Sequence, residues 1–338
     1  KNGEIVMSKL ILGLGLTIVA TFSTVASAEG YLAREEVEAY IVELIAEHNF
    51  SRQELEEVLA AAERRQDIID LMRRPAERRL NWHEYGKIFL DEQRIAGGVE
   101  FWQQNQATLQ RAEKEYGVPP EVIVAIIGVE TRYGRVTGKH RVVDALMTLA
   151  FDYPPRARFF RKELTQFLLL AREEGKSPMS LLGSYAGAMG YGQFIPSSYR
   201  SYAVDFDQDG VRDIWQNRID AIGSVANYFS RHGWRGVGDV TVPVQIKTET
   251  EQLRSLANES LKPTHSVAEM TEMGVIADGL DPEARVLLLR LSGGKNPEYW
   301  LGFNDFYVIT RYNHSRLYAM AVYQLGQEIL RRRKQPIG

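Results

Sequence analysis

From Ala33 to about Arg74 the apolar residues recur at the spacing of a single helix face. Val37, Tyr40, Ile41, Leu44 and Ile45 fall at i, i+3, i+4, i+7 and i+8, with acidic and basic residues between them. Ser51-x-x-Glu54 predicts a capping box for the next helix, which runs into Leu55, Val58 and Leu59. The same period continues over residues 84–116 through Phe89, Ile95, Phe101, Trp102 and Leu109. Gly117-Val118-Pro119-Pro120 breaks it, and the two prolines predict the first turn of a new helix. Helices separated by loops rich in Gly, Pro and Tyr are expected from Glu121 to about Phe229. The pattern changes after Gly233-Trp234-Arg235-Gly236. Residues 241–246, 284–291 and, less regularly, 298–303 favour β-strands, so residues 236–303 read as a small β-containing unit. Helical spacing returns at Phe306 and runs to the basic C-terminus. The fold class expected is α+β, mainly α.

Composition narrows the chemistry. The chain has 41 Lys+Arg against 44 Asp+Glu, a formal charge of −3, and no cysteine. The near-neutral balance and the short basic runs argue against a nucleic-acid partner, which needs a basic stripe to neutralise phosphates. The absence of cysteine excludes disulfides, a zinc-thiolate site, a thiol nucleophile and a lipidated cysteine anchor. Met7-Ser8-Lys9, the short apolar run Leu10 to Ala20 and Ala26-Ser27-Ala28 have the layout of a secretory signal cleaved after Ala28. The expectation is a soluble protein of the periplasm with no lipid anchor.

Two local signals point to specific chemistry. Asp205, Asp207 and Asp209 occupy positions 1, 3 and 5 of an EF-hand-like loop, with Gly210 at the turn and the Val211 carbonyl at position 7. That set predicts a structural calcium ion and no organic cofactor. Position 12 is Gln216, a poorer ligand than the usual glutamate, so Asp220 is expected to close the site. A solvated acidic turn is the competing reading. The second signal is Glu130, which closes the run Val122 to Val129, apolar on nearly every side. Ile123, Ile126 and Ile127 share its face, and desolvation there would raise its pKa, as a general acid requires. An ion pair with Arg132 or Arg135 at a helix end is the alternative. The run Ser184 to Tyr199 mixes small residues with aromatics and amides, a texture suited to a polyhydroxylated ring or, alternatively, to a tightly packed turn.

Taken in order, Gly117 to Gly134, Ser184 to Tyr199, Asp220 to Phe229 and Tyr307 to Tyr318 resemble the lytic transglycosylase B family (MltB-type) of bacterial cell-wall enzymes. The resemblance covers most of the chain after the signal. It implies a lysozyme-like core over residues 117–235, completed by about 304–318. It also implies a helical domain over 29–116, completed by about 319–338, and the small β domain. It implies that Glu130 is the sole acid/base in cleaving the β-1,4 bond between N-acetylmuramic acid and N-acetylglucosamine of peptidoglycan, with ring closure to a 1,6-anhydro product. Most glycosidases need two carboxylates. The resemblance further places Ser184, Gln193, Tyr228, Tyr312, Asn313 and Tyr318 along the cleft and Arg156 near the stem peptide, with Pro155 standing where the family carries a second basic residue. Peptidoglycan strands, and other cell-wall enzymes, are the partners it implies. Two other functions stay open from the residues alone. One is a hydrolytic muramidase using Asp152 or Asp144 as second carboxylate; the other is a noncatalytic, calcium-stabilised peptidoglycan-binding scaffold.

Overall fold

The computed structural model describes residues 30–73, 80–294 and 296–335. The expected export segment, residues 1–28, lies outside them. Among the described residues no helix is long and apolar enough to cross a membrane.

The chain begins with α1 (Glu35–His48), α2 (Arg52–Ala60) and α3 (Gln66–Arg73). Val37, Tyr40, Ile41 and Leu44 form the buried face of α1, and Asn49 ends it in the left-handed region at φ 55°. Ser51 caps α2 by accepting the Glu54 N–H at 3.1 Å, which is one half of the expected box. The full reciprocal box occurs at Asn81 and Glu84, opening α4 (Trp82–Phe89). Next come α5 (Glu92–Gln104), α6 (Gln106–Tyr116) and α7 (Pro120–Thr131). Gly117, at φ 71°, ends α6, and Pro120 is the first residue of α7, as the prolines predicted. Beyond α7 lie α8 (Val142–Phe151), α9 (Ala157–Glu173), α10 (Pro196–Tyr202) and α11 (Arg218–Arg231). A two-residue antiparallel pair, β1 (His140–Arg141) with β2 (Leu182–Gly183), joins the start of α8 to the loop before α10.

Apolar packing does not follow chain order. One cluster gathers α4, α5, α6, α7 and α11 with the C-terminal helices, and it is continuous across the α6–α7 junction. A second joins α1, α2 and Ile68 of α3 to α8, α9 and α10. Asp152, at the end of α8, fastens that second cluster by accepting bonds from Tyr31 Oη at 3.0 Å, Arg34 Nη1 at 3.1 Å and Arg64 Nε at 3.2 Å.

The β unit is an antiparallel sheet in the order β4-β6-β7-β3-β5, built from β3 (Thr241–Ile246), β4 (His265–Ser266), β5 (Val275–Ile276), β6 (Arg285–Leu291) and β7 (Glu298–Gly302). Two helices that the strand pattern did not suggest, α12 (Glu251–Glu259) and α13 (Val267–Glu272), cover one face. Strand β6 is apolar on both sides for a reason visible in its contacts. Val286 and Leu288 face the unit's own core, whereas Leu287, Leu289 and Leu291 face the main helical core. After the sheet, the helical stretch expected from Phe306 is divided into α14 (Asn304–Tyr312) and α15 (Arg316–Lys334). The break at residues 313–315 puts Tyr312 at the end of one helix and Tyr318 in the first turn of the next. Helix α15 is also the most extensive packing partner of α7.

Candidate active site

Glu130 lies in the last turn of α7, half-buried at the end of a helix whose residues 122–129 are all buried. The chain then turns sharply. Arg132 and Tyr133 are consecutive non-glycine residues in the left-handed region, at φ 50° and 62°, a costly conformation that surrounding contacts must hold. Tyr133 supplies one of them by donating to Arg94 O at 2.7 Å. Gly134, at φ 85°, sits against the Tyr191 ring, where an added Cβ would lie 2.0 Å from a ring carbon.

Around this turn, hydrogen bonds close a ring through three parts of the chain. Tyr318 Oη donates to Glu130 Oε1 at 2.5 Å. Tyr312 Oη donates to Gly192 O at 2.6 Å. Thr131, 1% exposed, carries the last link: its hydroxyl reaches Tyr191 O at 3.0 Å and Ile127 O at 3.1 Å, and accepts the Gly134 N–H at 3.0 Å. The end of α7, the Gly190–Gln193 turn and the α14–α15 junction are therefore held together by side chains. Burial, and next the Glu130 charge, push the Tyr312 and Tyr318 hydroxyls well above the usual tyrosine range, so both remain donors. Tyr228, 7% exposed, packs its ring against Tyr312 with centroids 4.7 Å apart and donates to Arg311 O at 2.6 Å. His232 stacks on Tyr228 at 4.0 Å.

The remaining expected cleft residues fall in two groups. Gln193 is in the left-handed region at φ 51°, and its Nε2 donates to Thr137 O and Gly190 O, both at 3.0 Å. Ser184 Oγ closes the preceding turn by accepting the N–H groups of Ala186 at 3.3 Å and Ala188 at 3.0 Å. Asn313 is the half-buried C-cap of α14, between Tyr312 and the α15 start. Arg156 stands apart, exposed, with its guanidinium over Phe159 at 4.3 Å and Phe160 at 5.2 Å, and the described bonds do not join it to the ring. The two candidate second carboxylates are occupied elsewhere. Asp152 is the clamp described above, and buried Asp144 accepts Glu63 N at 2.9 Å and Arg141 Nε at 2.7 Å.

The acidic loop is next to this site. One carboxylate oxygen from each of Asp205, Asp207 and Asp209 lies within 4.8 Å of the others. Asp205 accepts the N–H groups of Asp209 and Gly210, and Asp209 accepts that of Val211, so the turn is shaped by its own acids. Gly210, at φ 94°, allows the reversal. Asp220, expected as a closing ligand, lies outside this trio. It is fully buried, and its two oxygens accept Phe206 N at 2.7 Å and Asp213 N at 2.8 Å, bracing both ends of the loop. Burial pushes its pKa up and those two bonds pull it back. Gln216 is exposed, its N–H bonded to Asp213. Ile214 O then accepts Tyr191 N at 2.9 Å, and Trp215 Nε1 donates to Leu182 O at 3.1 Å, tying the loop to the turn that carries Gln193.

Three further residues belong to the site without having been singled out in the sequence. Thr131 looked like part of a helix end. Tyr85, on α4, is buried in the same apolar cluster as Tyr318. Glu163, on α9, accepts Ser197 N at 2.9 Å and Ser197 Oγ at 2.8 Å, anchoring the far end of the Ser184–Tyr199 loop; burial raises its pKa.

The family described as Transglycosylase SLT domain matches residues 33–327. The membrane-bound lytic murein transglycosylase B of Escherichia coli strain K12 is 46% identical over 306 residues, 88% of this chain and 83% of that protein. Among solved structures, catenated lytic transglycosylase SltB1 from Pseudomonas aeruginosa superposes with a TM-score of 0.85 at 51% identity, covering 89% of this chain and 98% of that one. The Escherichia coli lytic transglycosylase Slt35 in complex with calcium gives 0.81 at 44% identity, over 90% and 96%. SltB3 from Pseudomonas aeruginosa, in complex with NAG-NAM-pentapeptide, gives 0.77 at 29%, over 87% and 78%. With a match spanning nearly all of the described residues and an apolar helix delivering one glutamate to a bonded cleft, the chain belongs to the transglycosylase SLT domain family.

Proposed function

We propose that the protein cleaves the β-1,4 bond between N-acetylmuramic acid and N-acetylglucosamine in peptidoglycan strands, using Glu130 as the single acid/base. The observation that carries this reading is Glu130 at the end of the apolar helix, with the Tyr318 hydroxyl on its Oε1. Protonated Glu130 gives its proton to the glycosidic oxygen as the bond to the anomeric carbon breaks. The carboxylate so formed keeps the Tyr318 hydrogen bond, which strengthens on a charged acceptor. It then takes the proton of the muramoyl C6 hydroxyl while that oxygen bonds to the anomeric carbon. One bond breaks, one forms, water is not consumed, and Glu130 ends protonated as it began. Asp144 and Asp152, which a water-using mechanism would need to recruit, are committed to structural bonds.

Tyr228, Tyr312, Gln193, Ser184 and Asn313 form the wall against which the sugars bind, and Arg156 stands further out for the peptide. A calcium ion would be held by Asp205, Asp207, Asp209 and the Val211 carbonyl, with Asp220 bracing the loop. Its charge would neutralise three mutually repelling carboxylates. The reading places the protein in the periplasm after export.

Mass spectrometry of muropeptides released from purified sacculi tests the reaction. Wild type should yield anhydromuropeptides, and Glu130→Gln should lower their release by about 10²–10⁴-fold. Reducing-end products from wild type would instead mean hydrolysis, and equal behaviour of the two proteins would mean a scaffold.

A further inference from the structure

A small cleft of about 140 Å³ lies between the start of α5 and the turn that follows Glu130, and none of the steps above uses it. Asp91 and Arg94 line one side; Arg132, Tyr133, Arg135 and Val136 line the other. Its volume is well below that of a drug-sized ligand site and suits a molecule of a few non-hydrogen atoms.

Arg94 is the group in this wall that calls for a ligand. It is 6% exposed, and its Nε–H has no acceptor among the described residues. Its Nη1 donates to Ile88 O, and the guanidinium lies over the Phe89 ring at 4.9 Å. A buried charged donor without an acceptor is costly, so its place in a cleft wall points to an acceptor that enters from solvent. The distribution of charge points the same way. Asp91, the one acid in the wall, already accepts the Arg94 backbone N–H at 2.9 Å, and its other oxygen is 3.9 Å from Arg94 Nη1. Arg132 forms no salt bridge among the described residues, and the exposed Arg135 has Glu100 only at 4.0 Å. Burial holds the Arg94 guanidinium below the usual arginine range; Asp91 opposes that shift and the Arg132 charge adds to it, so the two cations are close enough to repel.

The rest of the wall is carbon. Tyr133 has its hydroxyl committed to Arg94 O and contributes its ring, and Val136 is 61% exposed. A bare inorganic anion makes no use of these two, whereas a short-chain carboxylate uses them and the guanidiniums together. We propose that this cleft binds a small monocarboxylate, its oxygens on Arg94 Nε and on the Arg132 and Arg135 guanidiniums, its carbon tail against Tyr133 and Val136. Occupancy ties α5 to the two left-handed residues that follow Glu130. The assignment does not depend on what Glu130 cleaves.

Titration with sodium propionate at constant ionic strength, read from the amide resonances of Tyr133 and Val136, tests it. Both should shift and saturate, and acetate, one methylene shorter, should bind about threefold more weakly. Arg132→Gln/Arg135→Gln should weaken propionate about fivefold, the size of two exposed ion contacts. Lys139→Gln removes a nearby charge outside the wall and should leave the affinity unchanged. Val136→Asp, at an exposed position that folding tolerates, sets a negative charge at the cleft and should weaken propionate about tenfold. No saturable shift in wild type overturns the proposal, as do an equal loss in Lys139→Gln and an unchanged affinity in Val136→Asp. Inorganic phosphate binding as tightly as propionate would overturn the carboxylate assignment.

Discussion

Glu130 stands at the end of an apolar helix and receives its hydroxyl partner from Tyr318, 188 residues away, whereas Asp205, Asp207 and Asp209 crowd one exposed turn with their oxygens within 4.8 Å. Both regions depend on carboxylates, yet their surroundings give those carboxylates different work. A single acid against an apolar wall, with a neutral donor on one oxygen, can hold and release a proton. Three acids in water repel one another and are eased by backbone N–H groups and by the Asn217 amide, which donates to Asp207 at 2.8 Å and, as the largest cause, keeps that carboxyl below its usual range. The first arrangement suits chemistry and the second suits a hard cation. The two meet at the Gly190–Gln193 turn, pinned on one side by Thr131 and on the other by Ile214.

If that division of labour is right, variants in the ring should change rate more than stability, and variants in the loop the reverse. Tyr318→Phe removes the donor on Glu130 while keeping the ring buried. It should lower kcat by about 10–100-fold, the size of a hydrogen bond to a charged group. Thermal denaturation should move little; a large drop in Tm with unchanged kcat would make Tyr318 a packing residue. Thr131→Val should lower kcat about tenfold and leave the Gly134 N–H without its acceptor, with Thr131→Ser restoring most of the rate. Equal failure of the serine variant would locate the effect in the methyl group.

Chelation addresses the loop. Removing calcium from wild type should lower Tm by about 5–10 °C when the ion had been saturating, and Asp207→Asn/Asp209→Asn should abolish the calcium-dependent part. A melting temperature indifferent to chelator would show that the trio holds no cation. The smallest effect concerns His232, which burial holds below the ordinary histidine value, the Arg311 charge adding to the shift and the Tyr228 carbonyl opposing it. A depressed pKa favours the neutral ring in the folded state, so its contribution is present above the unfolded value near 6.5 and is lost as pH falls below it. In His232→Gln, the fall in Tm between pH 7.5 and 5.5 should shrink by about 2 °C. An unchanged difference would assign the acid sensitivity to other groups.

What could be read along the chain divides in the same way. The Asp-x-Asp-x-Asp spacing is a local property, and the structure brings those three oxygens together. The α7 boundaries were equally legible, because Pro119, Pro120 and the apolar run act within a few residues of one another. Long-range assembly was not. Thr131 meets Tyr191 across 60 positions and Tyr312 meets Gly192 across 120, pairings that no periodicity encodes. Asp220 has a second role that chain distance does not reveal. Its distance along the chain suited a ligand, but the structure turns both oxygens onto the backbone at Phe206 and Asp213. Helices α12 and α13 were hidden beside strands whose β-favouring residues dominated the local pattern. The apolar run of β6 looked like a plain buried strand, and only the fold shows that it serves two cores at once.

Packing of α7 on α15 also bears on the order in which the site is assembled. Glu130 leaves the ribosome long before residue 316, and until the last helix docks it has neither the Tyr318 hydroxyl nor the wall that α15 provides. A chain shortened at its C-terminus keeps the acid but not the machinery. Removing α15 would therefore expose the apolar flank of α7 and take the hydroxyl from Glu130 in one step, coupling the geometry at residue 130 to the intactness of a helix 188 positions away.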